Sequence, residues 1–191
     1  GVSITGIMDN KWTAGKLPGL DTLLQNLRKM SIDTNKEWAE KLGINQSVAI
    51  TCVKPSGTVS QLVDSASGIH ARHNPYYVRT VRGDKKDPLT KMMIDIGFPA
   101  EDDVMKPNDT TVFSFPIKCD ENAVFRQDMN AVQQLELWKT YQEHWCEHKP
   151  SVTISVKEEE WLKVGSWVYE NFDLMSGVSF LPYSEHTYKQ A

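Results

Sequence analysis

The chain has 191 residues, 40% hydrophobic and 24% charged, a balance that suits a folded domain with a core and argues against a disordered or fibrous polymer. Its net charge of -4 provides no overall attraction to nucleic acid or anionic membrane, and no apolar run is long enough to span a bilayer. Three widely separated cysteines, Cys52, Cys119 and Cys146, argue against a disulfide framework and fit a reducing cytoplasm. The chain starts at Gly1 in sequence that is already strand-like and ends at Ala191 without a stop signal, so the expectation is one partial domain over residues 1–191.

In chain order, Leu20, Leu23, Leu24, Leu27 and Met30 fall on one helical face, and Trp38, Ala39 and Leu42 continue it to Gly43, which predicts one long or broken helix. Val48 to Val53 is a continuous apolar and β-branched run, the pattern of a short strand covered on both faces. Tyr76 to Val81 reads as strand and Pro88 to Ile96 as helix closed by Gly97. Phe98 to Asp109, with two prolines and the acids Glu101, Asp102 and Asp103, reads as a surface excursion, and Asp120 to Asn122 as another. Thr110 to Ile117 is a predicted strand. Asn130 to His148 is a predicted helix with Val132, Leu135, Leu137 or Trp138, Tyr141 and Trp145 turned inward. Ser151 to Val156, Glu158 to Phe172 and Val178 to Leu181 complete the series as strand, helix and strand, with Glu158, Glu159 and Glu160 favourable to the dipole of the helix they open. This alternation predicts an α/β architecture with mainly parallel strands.

The turn Lys54-Pro55-Ser56-Gly57-Thr58-Val59-Ser60 sits directly after the predicted strand at Val48 to Val53. Hydroxyls at a tight turn, with a glycine that lets backbone approach closely, make a cradle for phosphate, although the spacing is neither that of a Walker loop nor that of a dinucleotide fingerprint. On local composition alone, a plain strand-to-helix connection explains the same residues. The basic concentration of Arg72, Arg79, Arg82, Lys85 and Lys86 reads first as a solvated strand and turn, and the Tyr76-Tyr77 pair as packing. His144 and His148, four apart on a predicted helix, have no third convergent ligand, and the same holds for His70 and His73, so no metal site is expected. Cys146 and Glu147 are adjacent and point apart on a helix, which does not make a catalytic pair. All three cysteines read as small buried residues.

Several separated segments occur in register: Gly1 to Met8, the turn after Val53, Gly68-Ile69-His70 with Tyr76 to Arg82, His144 to Ser155, and Gly177 to Pro182. Together they resemble the C-terminal part of the catalytic barrel of adenosylcobalamin-dependent ribonucleotide reductases, the ribonucleoside-triphosphate type more than the diphosphate type. The resemblance implies the second half of a ten-stranded α/β barrel. It also implies that Ser56, Gly57, Thr58, Val59 and Ser60 hold the substrate phosphates. The family's radical cysteine stands in an Asn-x-Cys-x-Glu motif that this chain lacks, so no catalytic residue is assigned here. Where reductases with a radical-generating subunit carry two adjacent tyrosines on the last barrel strand, this chain has Phe180 and Leu181, which favours a cobalamin-generated radical. The implied cofactor is adenosylcobalamin, bound mainly by parts of the enzyme outside this chain. The implied partners are a ribonucleoside triphosphate and a thioredoxin-like dithiol reductant, with no nucleic acid and no membrane. A fragment of a class I large subunit and a non-catalytic nucleotide-binding module are the alternatives.

Overall fold

A computed structural model describes residues 1–184, which form two compact units, one of Gly1–His73 with Asp120–Tyr183 and the other built on Asn74–Cys119. The elements in chain order are β1 (Val2–Ser3), α1 (Leu20–Leu42), β2 (Thr51–Cys52), α2 (Val59–Leu62), β3 (Tyr76–Asp84) and α3 (Pro88–Asp95). They continue with β4 (Ala100–Asp102), β5 (Thr110–Lys118), α4 (Ala131–His144), β6 (Val152–Val156), α5 (Trp161–Glu170) and β7 (Val178–Pro182).

The first unit is organised around α4. Asn130 and Gln133 close its N-terminus reciprocally, Gln133 N–H donating to Asn130 Oδ1 at 2.8 Å and Asn130 N–H to Gln133 Oε1 at 3.0 Å. The helix buries Ala131, Leu135, Leu137, Trp138 and Tyr141 among Ile7, Leu24, Val53, Ile154, Val156, Val164 and Trp167. Its large aromatics satisfy their polar ends at a distance in sequence: Trp138 Nε1 donates to the Pro150 carbonyl at 2.8 Å and the Tyr141 hydroxyl to the Thr13 carbonyl at 2.9 Å. The helix stops four residues before the expected His148, because the chain after Trp145 turns to bond β2.

Two parallel pairs flank this core. In one, Val2 and Ser3 face Thr51 and Cys52; in the other, Val152 to Val156 face Val178 to Pro182. The strand expected over Val48 to Val53 forms a ladder only at Thr51 and Cys52, and Val48 is fully exposed. α1 runs unbroken for 23 residues and ends at Gly43, whose φ of +64° suits a residue without Cβ. Its apolar stripe is covered only at Leu20, Leu24 and Ala39, while Met30, Trp38 and Leu42 are more than half exposed.

The second unit is a three-stranded antiparallel sheet in the order β3-β5-β4, so antiparallel pairing accompanies the parallel pairing that alternation predicts. Length explains the direction. The eight residues of α3 cover about 12 Å, whereas the nine of β3 cover about 30 Å, so α3 does not carry the chain back to the start of β3. β5 therefore starts beside the end of β3, with Asp84 opposite Thr110, and runs back along it. The expected surface excursion at Phe98 to Asp109 is partly sheet, since Ala100–Asp102 pairs with β5. The next residue, Asp103, is buried; it accepts from Arg82 Nε at 2.7 Å and from the N–H groups of Met105 and Lys106 at 2.8 and 3.0 Å. Lys85 reaches Asp102 at 2.5 Å, so much of the basic concentration is ion-paired rather than merely solvated. Tyr76 does not pack as expected; it is 69% exposed.

Trp138 and Trp38 give a direct test of where the core lies. Trp138→Ala empties a fully buried site and leaves the Pro150 carbonyl without its donor, with an expected loss of about 3–5 kcal/mol in urea unfolding. Trp38→Ala, on the open face of α1, is expected to change the same measurement by less than about 0.5 kcal/mol.

Candidate functional site

The turn at Ser56 to Ser60 follows β2, its last two residues Val59 and Ser60 opening α2, and a second loop, Asp64 to Arg72, holds it from behind. Ser56 N–H donates to Ser67 Oγ at 2.9 Å, and Gly68 N–H reaches Ser56 Oγ at 3.2 Å and Thr5 Oγ1 at 3.0 Å. Thr5 Oγ1 and Ser56 Oγ lie 2.6 Å apart, and the Thr5 hydroxyl also bonds the Ala66 carbonyl. Ser60 is fully buried; its N–H and its hydroxyl both donate to the Ser56 carbonyl, and its own carbonyl accepts from Ser65 N–H at 2.8 Å.

The five residues singled out in the sequence therefore form one turn but divide by role. The side chains of Ser56 and Ser60 are committed to internal hydrogen bonds that set its shape. Gly57, Thr58 and Val59 are exposed at its tip, and among the described residues neither the N–H groups of Thr58 and Val59 nor the Thr58 hydroxyl meets an acceptor. An exposed run of backbone donors beside a free hydroxyl can bind an anion without any charged side chain.

Gly57 has no positive φ, and a Cβ built there meets nothing within 4 Å. The conformationally demanding glycine is Gly68, with φ +54° and a Cβ position only 2.7 Å from the Lys54 carbonyl oxygen. Sequence reading noticed Gly68 only as part of a motif, because its tight approach is to a residue fourteen positions away.

The second loop is anchored by Arg72, which is almost completely buried. Its Nε bonds Asp9 Oδ1 at 3.0 Å and an Nη bonds the Asp64 carbonyl at 2.6 Å, while Asp9 Oδ2 accepts the Ala66 N–H at 2.6 Å. Asp64 has a φ of +46°, unusual for a residue with a side chain, and its carboxylate also lies 3.4 Å from Arg72. Nothing in the spacing of Asp9, Asp64 and Arg72 identifies this network from sequence. His70 closes the loop from the other side, lying between the Ser67 carbonyl at 3.1 Å and the Thr153 N–H at 3.0 Å.

The other candidates resolve as structural groups. Cys52, Cys119 and Cys146 form no disulfide and are buried, and burial, with Cys52 nearby, pushes the Cys146 thiol up to about 12, far from thiolate reactivity at neutral pH. Glu147 Oε2 accepts the N–H groups of Ile50 and Thr51 at 2.8 and 3.2 Å. Burial opposes its ionisation, yet these donors, with Arg28 and the Thr51 hydroxyl, outweigh that and hold the carboxyl below its ordinary range. His144 bonds Gln25 at 3.0 Å as the last residue of α4, and His148 lies beyond the helix, so the two do not share a helical face. No group of three or more His, Cys, Asp or Glu able to hold a metal occurs among the described residues, and no described helix is long and apolar enough to cross a membrane.

No protein-family model matches the chain. An adenosylcobalamin-dependent ribonucleoside-triphosphate reductase of Euglena gracilis is 30% identical across the whole chain, which covers 26% of that protein. The enzyme of the same name from Lactobacillus gasseri is 27% identical over 91% of the chain and is covered over 24% of its own length. Among solved structures, a B-12 dependent (class II) ribonucleotide reductase superposes on the entire chain with a TM-score of 0.85 at 25% identity, over 30% of its own chain. The chain thus spans about a quarter of the length of the curated relatives it matches. By sequence along its whole length and by fold, the chain is similar to one part of the adenosylcobalamin-dependent ribonucleotide reductases.

Proposed function

We propose that this chain forms part of a cytoplasmic enzyme that reduces ribonucleoside triphosphates to 2'-deoxyribonucleotides, and that its turn at Ser56, Gly57, Thr58, Val59 and Ser60 holds the substrate phosphates. The observation that carries the second half is the exposed tip of that turn, where the Thr58 hydroxyl and the N–H groups of Thr58 and Val59 have no acceptor among the described residues. Phosphate oxygens supply the missing acceptors, and Gly57 leaves room for them to approach the main chain. On this reading Ser56 and Ser60 contribute by fixing the backbone that binds, not through their own hydroxyls.

The radical chemistry is assigned to other parts of the enzyme. Adenosylcobalamin supplies the initiating radical when bound; a cavity of the first unit lined by Met8, Ile69, His73, Arg126 and Thr153 among others, about 210 Å³ in volume, does not enclose a corrin ring, and no other cofactor cradle stands out among the described residues. Cofactor binding is therefore placed mainly outside this chain. The three thiols are buried and stand outside the radical-cysteine motif, so the reducing cysteines, restored by a thioredoxin-like dithiol, also belong elsewhere. The chain alone, given adenosylcobalamin, a ribonucleoside triphosphate and a strong dithiol, is expected to form no deoxynucleotide above a protein-free control; product formation would overturn this division of labour.

Substitutions in the complete reductase test the turn itself. Thr58→Val keeps the side-chain size but removes a donor to a charged oxygen, worth about 1.5–3 kcal/mol, so nucleotide affinity is expected to fall about tenfold or more in equilibrium titration. Gly57→Leu is expected to weaken nucleotide binding further while leaving thermal stability nearly unchanged, because its Cβ meets no neighbour and the turn tip is exposed. Gly68→Ala forces a side chain onto a positive φ and against the Lys54 carbonyl, with an expected destabilisation of about 1–3 kcal/mol in the same melts. Unchanged nucleotide affinity in both Thr58→Val and Gly57→Leu removes the turn from the substrate site.

A further inference from the structure

His70 joins three segments distant in sequence. The Thr153 main-chain N–H, on β6, can only donate, so the His70 Nε2 it meets at 3.0 Å must be an unprotonated acceptor. The ring proton then sits on Nδ1, where it donates to the Ser67 carbonyl at 3.1 Å. Ser67 in turn uses its hydroxyl to accept the N–H of Ser56, the first residue of the turn, at 2.9 Å. The adjacent Gly68 N–H binds the hydroxyls of Ser56 and Thr5. A chain of hydrogen bonds thus runs from β6 through one imidazole to the backbone of the turn, and it requires that imidazole to be neutral.

We infer that His70 is a positioning residue: its neutral Nδ1–H tautomer fastens the Ser67–Gly68 segment to β6, that segment holds the Ser56 turn in place, and protonation at Nε2 releases the turn. The inference rests on the proposed substrate site only for its consequence on nucleotide binding; the hydrogen-bond chain stands independently.

The electrostatic surroundings favour the neutral ring. The cavity that His70 borders is also lined by His73 and Arg126, and among the described residues no carboxylate lines it, so an imidazolium there finds no counter-ion in the cavity wall. Burial lowers the His70 pKa from its ordinary 6.5, the hydrogen bond to Ser67 opposing this less strongly. The sign follows from linkage. In the unfolded chain the ring protonates near 6.5, whereas in the fold it resists protonation to lower pH; the stability contributed by the neutral ring is present above about 6.5 and is lost as pH falls through the lower folded value.

The test is amide hydrogen exchange on the protein between pH 8 and pH 5, expressed as protection factors to remove the intrinsic pH dependence. Protection of the Ser56 and Gly68 amides is expected to fall below about pH 6.5 by up to about tenfold per pH unit, the limit for one coupled proton. Protection of the Trp145 amide, bonded to Tyr141 at the end of α4, should remain above theirs at every pH, because the turn is released without unfolding of the core. In His70→Gln, whose side-chain oxygen can still accept the Thr153 N–H but does not titrate, the acid loss at Ser56 and Gly68 should disappear. Flat protection in the unmodified protein, protection at Ser56 and Gly68 no lower than at Trp145, or the same acid loss in His70→Gln would each overturn the inference. If His70→Gln does not fold, the comparison of Ser56 and Gly68 with Trp145 in the unmodified protein decides alone. Nucleotide affinity of the complete reductase, measured over the same pH range, separates the two readings: local release of the turn with constant affinity supports the role of His70 and rejects the turn as substrate site.

Discussion

The backbone from Ile50 to Val53 carries a ladder partner on one side only, and the segment that follows α4 supplies the other. Thr51 O accepts the N–H groups of both Glu147 and His148, the Glu147 carboxylate accepts those of Ile50 and Thr51, Trp145 Nε1 bonds Cys52 O at 2.7 Å, and Val53 O accepts from Ser151. The Thr51 hydroxyl adds a bond to the Trp145 carbonyl at 2.5 Å. Buried backbone groups left unpaired would each cost about 1–3 kcal/mol, so this exchange between two distant segments lets a two-residue strand lie in the core. The turn at Ser56 begins three residues after Val53 and inherits its position from this lock.

The charged side chains Glu147 and Arg72 are likewise committed to holding backbone in place. Glu147 is held ionised by main-chain donors, and Arg72 has its guanidinium distributed between Asp9 and Asp64. A buried ion pair of this kind contributes little net stability relative to apolar packing, but breaking one partner leaves a charge stranded in the interior. Its structural effect is specific placement: Arg72 and Asp9 between them fix Asp64 and Ala66, and so hold the loop that supports the turn. Polar side chains here determine where backbone donors point, and the backbone donors are what remain available at the surface.

Much of this architecture is legible in the sequence where one chemical pattern determines one local outcome. The 3.6-residue periodicity of α4, its Asn130 cap and the apolar run of β6 give elements at the expected places, and Gly43 stops α1 where expected. The errors arise where the outcome depends on partners remote in sequence. The α1 stripe has the pattern of a core helix, but Met30, Trp38 and Leu42 have no facing element among the described residues that covers them. Val48 has strand propensity and no ladder, because propensity does not supply a neighbour. The direction of β5 depends on the length of α3 relative to β3, and alternation alone reads such a series as parallel. At the candidate site, composition singled out the turn but could not separate Ser56 and Ser60, whose hydroxyls face inward, from Thr58, whose hydroxyl does not.

The same reasoning bears on how the first unit holds together. Two-stranded parallel pairs are marginal structures in water, and β1 with β2 contributes only two residue pairs. The pairs persist because each is fastened to α4 or its C-terminal extension through side chains that combine apolar bulk with one directed hydrogen bond, Trp138 to Pro150 and Trp145 to Cys52, while Trp167 ties α5 to α4 through Glu136. An aliphatic residue of equal volume could fill the space but would leave those acceptors unmatched and the strands free to shift along the helix. The tryptophans therefore set register as well as volume. That register aligns β6 so that Thr153 meets His70, and through Ser67 it governs the backbone of the turn. Packing of the aromatic core and presentation of the exposed Thr58 and Val59 donors are consequently one mechanical problem, solved by a small number of directed bonds between segments far apart in the chain.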